Sequence, residues 1–107
     1  MSAKSEREAA YFTLLRAQAE RDDLLRYQQF LEDEGLRLEG FVDQTRALVE
    51  PVSPRVRRGL DATQKPMVEA VGRRRTVVAD ELRRCGPRLA AAEAFVEECE
   101  QDLAAQS

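Results

Sequence analysis

Glu50-Pro51-Val52-Ser53-Pro54 lies at the middle of this 107-residue chain and decides how the rest is read. A proline disfavours helical geometry in the residue before it, so Glu50 and Ser53 leave any helix that reaches them. Ser53 then caps a new helix whose first position is Pro54, where a missing N–H costs nothing. The stretch predicts a turn over 51–54 between two arms of a single helical domain spanning 1–107.

Working outward, each arm carries an apolar seam at alternating steps of four and three. In arm one, over about 5–50, the seam is Ala10, Leu14, Ala17, Leu24, Leu31, Leu38, Val42 and Val49. Arg21, Gln28, Gly35 and Thr45 fill its remaining slots. Tyr27, Phe30, Phe41 and Leu48 widen this stripe, as a helix that faces a bundle requires. In arm two, over about 54–104, the seam runs Val68, Val71, Val78, Leu82, Cys85, Leu89, Ala92, Val96, Cys99 and Leu103, interrupted at Arg75. Ala, Leu, Glu, Arg and Gln dominate both arms, and all are good helix formers. Ser5-Glu6-Arg7-Glu8 has the form of a capping box and places the first helix start near residue 5. The reading is all-α: a long antiparallel helical hairpin, coiled-coil-like, with arms of about 70 Å at 1.5 Å per residue.

Two dipeptides test that reading, Lys65-Pro66 and Gly86-Pro87. A proline inside a helix kinks or ends it, and Thr63 is placed to cap a restart at Pro66. The register passes both prolines without a phase change, which favours kinks over reversals. The alternative is a compact three- or four-helix bundle with breaks near 51–54, 63–66 and 86, and another at Gly35 or Gly40. That bundle would leave Glu32-Asp33-Glu34 at a helix C-terminus, the wrong end of the dipole for negative charge.

Charge supports the hairpin independently. Residues 1–50 carry 7 basic and 11 acidic side chains, net −4; residues 55–88 carry 10 and 4, net +6; residues 89–107 carry 0 and 5, net −5. A fold about residue 52 sets position i opposite 104 − i. Glu32-Asp33-Glu34 then faces Arg73-Arg74-Arg75, and Asp22-Asp23 faces Arg83-Arg84. Each pair is weak, but their register selects the antiparallel partner.

Composition narrows the function. With 17 Lys+Arg, 20 Asp+Glu and no His, Ser-His-Asp and Cys-His catalysis, His-ligated zinc and the Glu-x-x-His di-iron pattern are all excluded. The five glycines are scattered, so no phosphate-binding loop is formed. The carboxylates are consecutive and surface-facing, not set in an apolar pocket that would shift a pKa. The chain is read as a non-enzyme with no cofactor and no metal. No apolar run approaches the roughly 20 residues of a membrane span, and the charged start leads into no signal-peptide core. The expected compartment is cytoplasmic, and a membrane partner is not expected. Cys85 and Cys99 lie on the seam, about 21 Å apart along one helix, too far for a disulfide, and read as reduced core residues.

What remains is surface. The aromatic side chains cluster on arm one, while arm two has a narrow stripe of Val and Ala, so one hairpin does not cover its own apolar surface. This predicts a helical protein–protein interaction module: an adaptor, a chaperone-like protein or a small structural or assembly subunit. Its interface would be Leu24, Tyr27, Phe30, Leu31, Leu38 and Phe41, against a protein partner or a second copy in a homo-oligomer. The alternative is a nucleic-acid- or ribosome-associated protein that uses the basic face of Arg73, Arg74, Arg75, Arg83, Arg84 and Arg88. Aromatics that could stack on bases are absent between Val42 and Ala94, which weighs against it. Arg55, Arg57 and Arg58 at the tip, beside Val56 and Leu60, offer a smaller basic patch for an acidic surface or a lipid headgroup layer.

Overall fold

The computed structural model describes residues 2–106. They form two helices, α1 over Ala3–Val49 and α2 over Pro54–Ala105, and nothing else of regular structure. The chain is an all-α helical hairpin, and the bundle with extra breaks is not adopted. α1 runs through Gly35 and Gly40, and α2 runs through Pro66 and Pro87. Each proline removes one backbone hydrogen bond, but the apolar seam on either side holds one phase, and packing outweighs the local loss.

The termini of the helices follow the backbone chemistry closely. Glu50 still donates to the Arg46 carbonyl at 3.0 Å. Pro51 has no N–H to continue the ladder, and Val52 closes a tighter turn onto the Val49 carbonyl at 3.1 Å. The Ser53 carbonyl accepts the first bond of α2, from the Arg57 N–H at 2.8 Å, so Ser53 is the N-cap and Pro54 the first helical residue. At the other end the cap is Ser2, not Ser5. The Ser2 hydroxyl oxygen accepts from the Ser5 N–H at 3.2 Å, and its carbonyl accepts from Glu6 at 3.0 Å. Ser2 has the same three-residue spacing to a polar partner that made Ser5 attractive, and it lies further out, so it captures the orphan donors first. Thr63 is likewise no cap. Its hydroxyl donates to the Gly59 carbonyl at 3.0 Å, the back-bond of a threonine within a helix.

Contacts divide the molecule into two compact units, 1–29 with 83–107 (unit 1) and 30–82 (unit 2). In unit 1 the two helix segments run antiparallel, with Leu14 and Ala17 against Val96 and Cys99 and with Leu103 packed on them. Ala10 and Cys85 are also buried there. In unit 2 the buried residues are Leu31, Val49 and Val78. Every one of these lies on the seam read from the sequence.

The register of the pairing differs from the simple fold-back. That geometry sets Gly35 opposite position 69, whereas a Cβ at Gly35 would meet Val78 Cγ1 at 3.7 Å. The fold-back assumes that the helices end level. At the turn itself Arg57, one turn into α2, reaches back to the connecting residues, donating to Glu50 O and, at 3.4 Å, to Val52 O. One expected ion pair survives because arginine is long: Arg74 grips Glu34 with both ends of its fork, at 2.5 and 2.9 Å. Asp22 and Asp23 are held within α1, by Arg21 at 3.2 Å and by Arg26.

Candidate functional site

The geometry of unit 2 follows from which side of the seam each residue takes. The seam positions of α1 are 31, 35, 38, 42, 45 and 49; those of α2 are 57, 61, 64, 68, 71, 75, 78 and 82. The residue before each seam position lies on one flank, and the residue after it lies on the other. Glu34 and Arg74 both precede a seam position, and they are bonded across the seam. The two preceding lines therefore share one side of unit 2.

That side carries most of the large apolar residues of the unit, between Glu34, Arg37, Arg74 and Glu81. Phe30 (52% exposed), Phe41 and Leu48 (72%) stand on the α1 line, and Val56, Leu60, Met67 (59%) and Val77 stand on the α2 line. The opposite flank carries Glu32, Glu39, Asp43, Arg58, Lys65 and Glu69, with a single large apolar residue, Leu36. Scattered apolar residues are normal on a surface, but a run along one flank, beside a charged one, is an interaction surface in form. Glu34 and Arg74 sit in its midst. Hydrogen bonding from Arg74 is the main cause that holds the Glu34 carboxyl below its ordinary range; its partial burial pulls the other way, and the charges of Arg74 and Arg37 add to the lowering.

Towards the tip the seam opens into a groove of about 630 Å³, floored by Phe41, Val42, Val49 and Val68 and edged by Arg46, Asp61 and Lys65. Val68 is a seam position and yet is exposed, as is Arg75. Arginine cannot enter an apolar seam without losing solvation, so Arg75 keeps its side chain in water.

The six interface residues read from the sequence fall into three environments. Leu31 is 1% exposed, and Leu24 and Leu38 are half-buried in the seam, where they hold α1 to α2 and are not free for a partner. Tyr27, in unit 1, and Phe30, in unit 2, are exposed flank residues. Phe41 lines the groove. Sequence reading missed Leu48, Met67 and Val77 as interface residues, and took Val56 only as part of the basic patch at the tip. The signal was present as a second four-three series, one residue ahead of the seam.

Of the basic residues, Arg74 is committed to Glu34. Arg83 and Arg84 also have interaction partners. Arg73, Arg75 and Arg88 are exposed. In unit 1 a second groove, of about 410 Å³, is edged by Glu6, Glu98 and Asp102 and reaches Cys99. Burial, and then the charges of Asp102 and Glu98, push the Cys99 thiol above its ordinary value, away from the thiolate that nucleophilic chemistry needs. Cys85 and Cys99 are both free and buried. Among the described residues no three Cys, Asp or Glu side chains converge as a metal site, and no helix is long and apolar enough to cross a membrane. Comparison with known protein families, with curated proteins and with solved structures finds no match to this chain.

Proposed function

We propose that this chain is a non-enzymatic helical protein–protein interaction module, of the adaptor or small assembly-subunit kind, that binds through the apolar flank of unit 2. The observation that supports this reading is the asymmetry of that unit. Five of its seven exposed large apolar side chains lie on the side of the seam marked by the Glu34–Arg74 pair, while the other side is charged apart from Leu36. Helix-in-groove recognition uses such a surface: the partner's apolar positions recur at three and four residues, matching the Phe30–Phe41–Leu48 and Val56–Met67–Val77 lines.

The test is site-specific photo-crosslinking in cells with the full chain. A photoreactive residue at Met67 should give a discrete protein adduct that survives nuclease, and one at Glu69, on the charged flank, should not. Equal labelling from the two positions, or labelling only from Glu69, would refute the assignment of the surface. A companion variant separates binding from folding. Met67→Asp should keep the helical circular-dichroism signal and lose the partner, because Met67 is already in water.

A further inference from the structure

We infer that the groove of unit 1 edged by Glu6, Glu98 and Asp102 receives the basic tip of unit 2 from a second copy of the chain, so that copies join head to tail. The contact is separate from the apolar flank and goes beyond the function proposed for it. α2 is charged against its own dipole, and α1 is not. A helix is favoured by acidic side chains at its N-terminus and basic ones at its C-terminus. α1 has both, with Glu6 in its first turn and Arg46 in its last. α2 has no acidic residue in its first turn and no basic residue in its last. Instead Arg55, Arg57 and Arg58 open it, and Glu97, Glu98, Glu100 and Asp102 lie towards its close.

The hairpin answers neither misfit in full. At the tip Arg57 turns back onto the Glu50 and Val52 carbonyls, while Arg55 and Arg58 are exposed and form no ion pair among the described residues. Residues 46–58 hold four basic side chains and one acidic, net +3, and Asp43, Asp61 and Lys65 beyond them bring this to +2. In unit 1, residues 3–16 hold three basic and two acidic side chains and residues 89–107 hold none and five, together net −4. No cation lines the groove among the described residues, and Arg16, three residues beyond Thr13, is held by Glu20 at 3.6 Å. Burial, and then the charges of Asp102 and Glu98, raise the Cys99 thiol in the groove, so the negative field reaches its floor. Arginine suits the groove in shape as well as charge. Its aliphatic stem lies along Ala9 and Ala10, and Phe95, 46% exposed, offers a ring to the guanidinium. Arg55 and Arg58 of one copy against Glu98 and Asp102 of the next correct both ends of α2 in a single contact. Tip and groove belong to different units, so a copy that gives its tip keeps its groove, and the contact continues from copy to copy.

Sedimentation velocity of the full chain at rising concentration tests this. At low salt it should show species larger than one chain, and about 0.5 M salt should dissolve them. Two charge reversals locate the contact: Arg55→Glu with Arg58→Glu at the tip, and Glu98→Arg with Asp102→Arg at the groove. Each should weaken self-association at least about tenfold. Both match the dipole of α2 better than the native residues do, so the helical circular-dichroism signal should be kept. An equimolar mixture of the two variants should assemble again, because each supplies the charge that the other has lost. Loss in both variants with no recovery on mixing would overturn the inference, as would a monomer at every concentration up to about 1 mM. Self-association that both reversals leave intact, and that Met67→Asp abolishes, would place the second copy on the flank instead. Should the chain stay monomeric while an Arg-rich peptide binds it, and that binding vanish with the groove reversal, the groove belongs to another protein.

Discussion

Units 1 and 2 are built from the same two helices and the same four-three spacing, yet one closes its seam and the other leaves its seam partly open. In unit 1 the buried seam contains Ala10, Ala17, Cys85 and Cys99 beside Leu14 and Val96. Small side chains at the seam let two backbones approach, and the larger ones then fill what is left. In unit 2 only Leu31, Val49 and Val78 are buried, while Val68 and Arg75, at seam positions, lie in water. The exposed apolar side chains differ as well. In unit 1 Tyr11 and Phe12 meet edge to face, 5.7 Å between centroids; Tyr11, Leu15 and Leu25 each follow a seam position, while Tyr27 and Phe95 each precede one, so the exposed residues are divided between the two sides. In unit 2 five of the seven, Phe30, Leu48, Val56, Met67 and Val77, precede a seam position, with Leu36 on the other flank and Val68 on the seam. The lesson is that a hydrophobic register specifies which residues face the partner helix, whereas side-chain size and charge decide how much of that face is sealed.

The sharpest way to break the comparison lies at two adjacent residues of α1. Leu31 is buried and Phe30 is 52% exposed. Leu31→Ala should cost about 3 kcal/mol in urea or thermal unfolding, from lost transfer energy and the cavity left behind. Phe30→Ala should stay within about 0.5 kcal/mol, as surface changes do. Similar costs at the two positions would mean that the flank is covered in solution. A second contrast concerns small residues. Ala17→Leu should destabilise unit 1 by about 1–3 kcal/mol, because the seam there has no room for three more carbons. Gly35→Ala should instead raise stability by about 0.5–1 kcal/mol, because its Cβ would meet Val78 at an ordinary 3.7 Å and alanine is the better helix former. A third lies at the turn. Arg57→Met should cost about 1 kcal/mol, by removing the side chain that satisfies the Glu50 and Val52 carbonyls of the turn.

Much of this was legible before any coordinates. Pro51 and Pro54 announce the turn because proline acts on its own neighbours, without tertiary context. The seam residues from Ala10 to Leu103 were legible because periodicity directly encodes a face. Three things were not. The cap at Ser2 competed with an equally well-formed signal at Ser5, and only geometry decides between overlapping capping candidates. The pairing register needed the stagger of the two helices, which a symmetrical fold-back sets to zero. The flank was half visible: Tyr27, Phe30, Phe41 and Leu48 were read as a wider stripe, but its continuation through Val56, Met67 and Val77 needed the cross-seam pair to show that both lines share a side. Leu24, Leu31 and Leu38 entered the expected interface because a sequence does not say which of two apolar stripes the chain itself consumes.

The smallest expected effect sharpens the comparison from the polar side, since the bidentate bond between Glu34 and Arg74 lies in the unit with the open seam. Glu34 is held below the ordinary value of 4.5 by the Arg74 hydrogen bonds, with burial opposing and Arg37 assisting. A carboxylate lowered in the folded state stabilises that state fully above its unfolded pKa, and the contribution disappears as pH falls through the folded pKa. The difference in melting temperature between the native chain and Glu34→Gln should therefore be constant from neutral pH down to about 5, shrink through the acid window below 4.5, and vanish once both forms are uncharged. High salt should reduce it at neutral pH, because Arg74 is nearly half exposed and screening reaches the pair. Should the difference persist unchanged into strong acid, the carboxylate's charge is not what the two helices share there. Glu34 would then act in unit 2 through its packing alone, as the seam residues of unit 1 do.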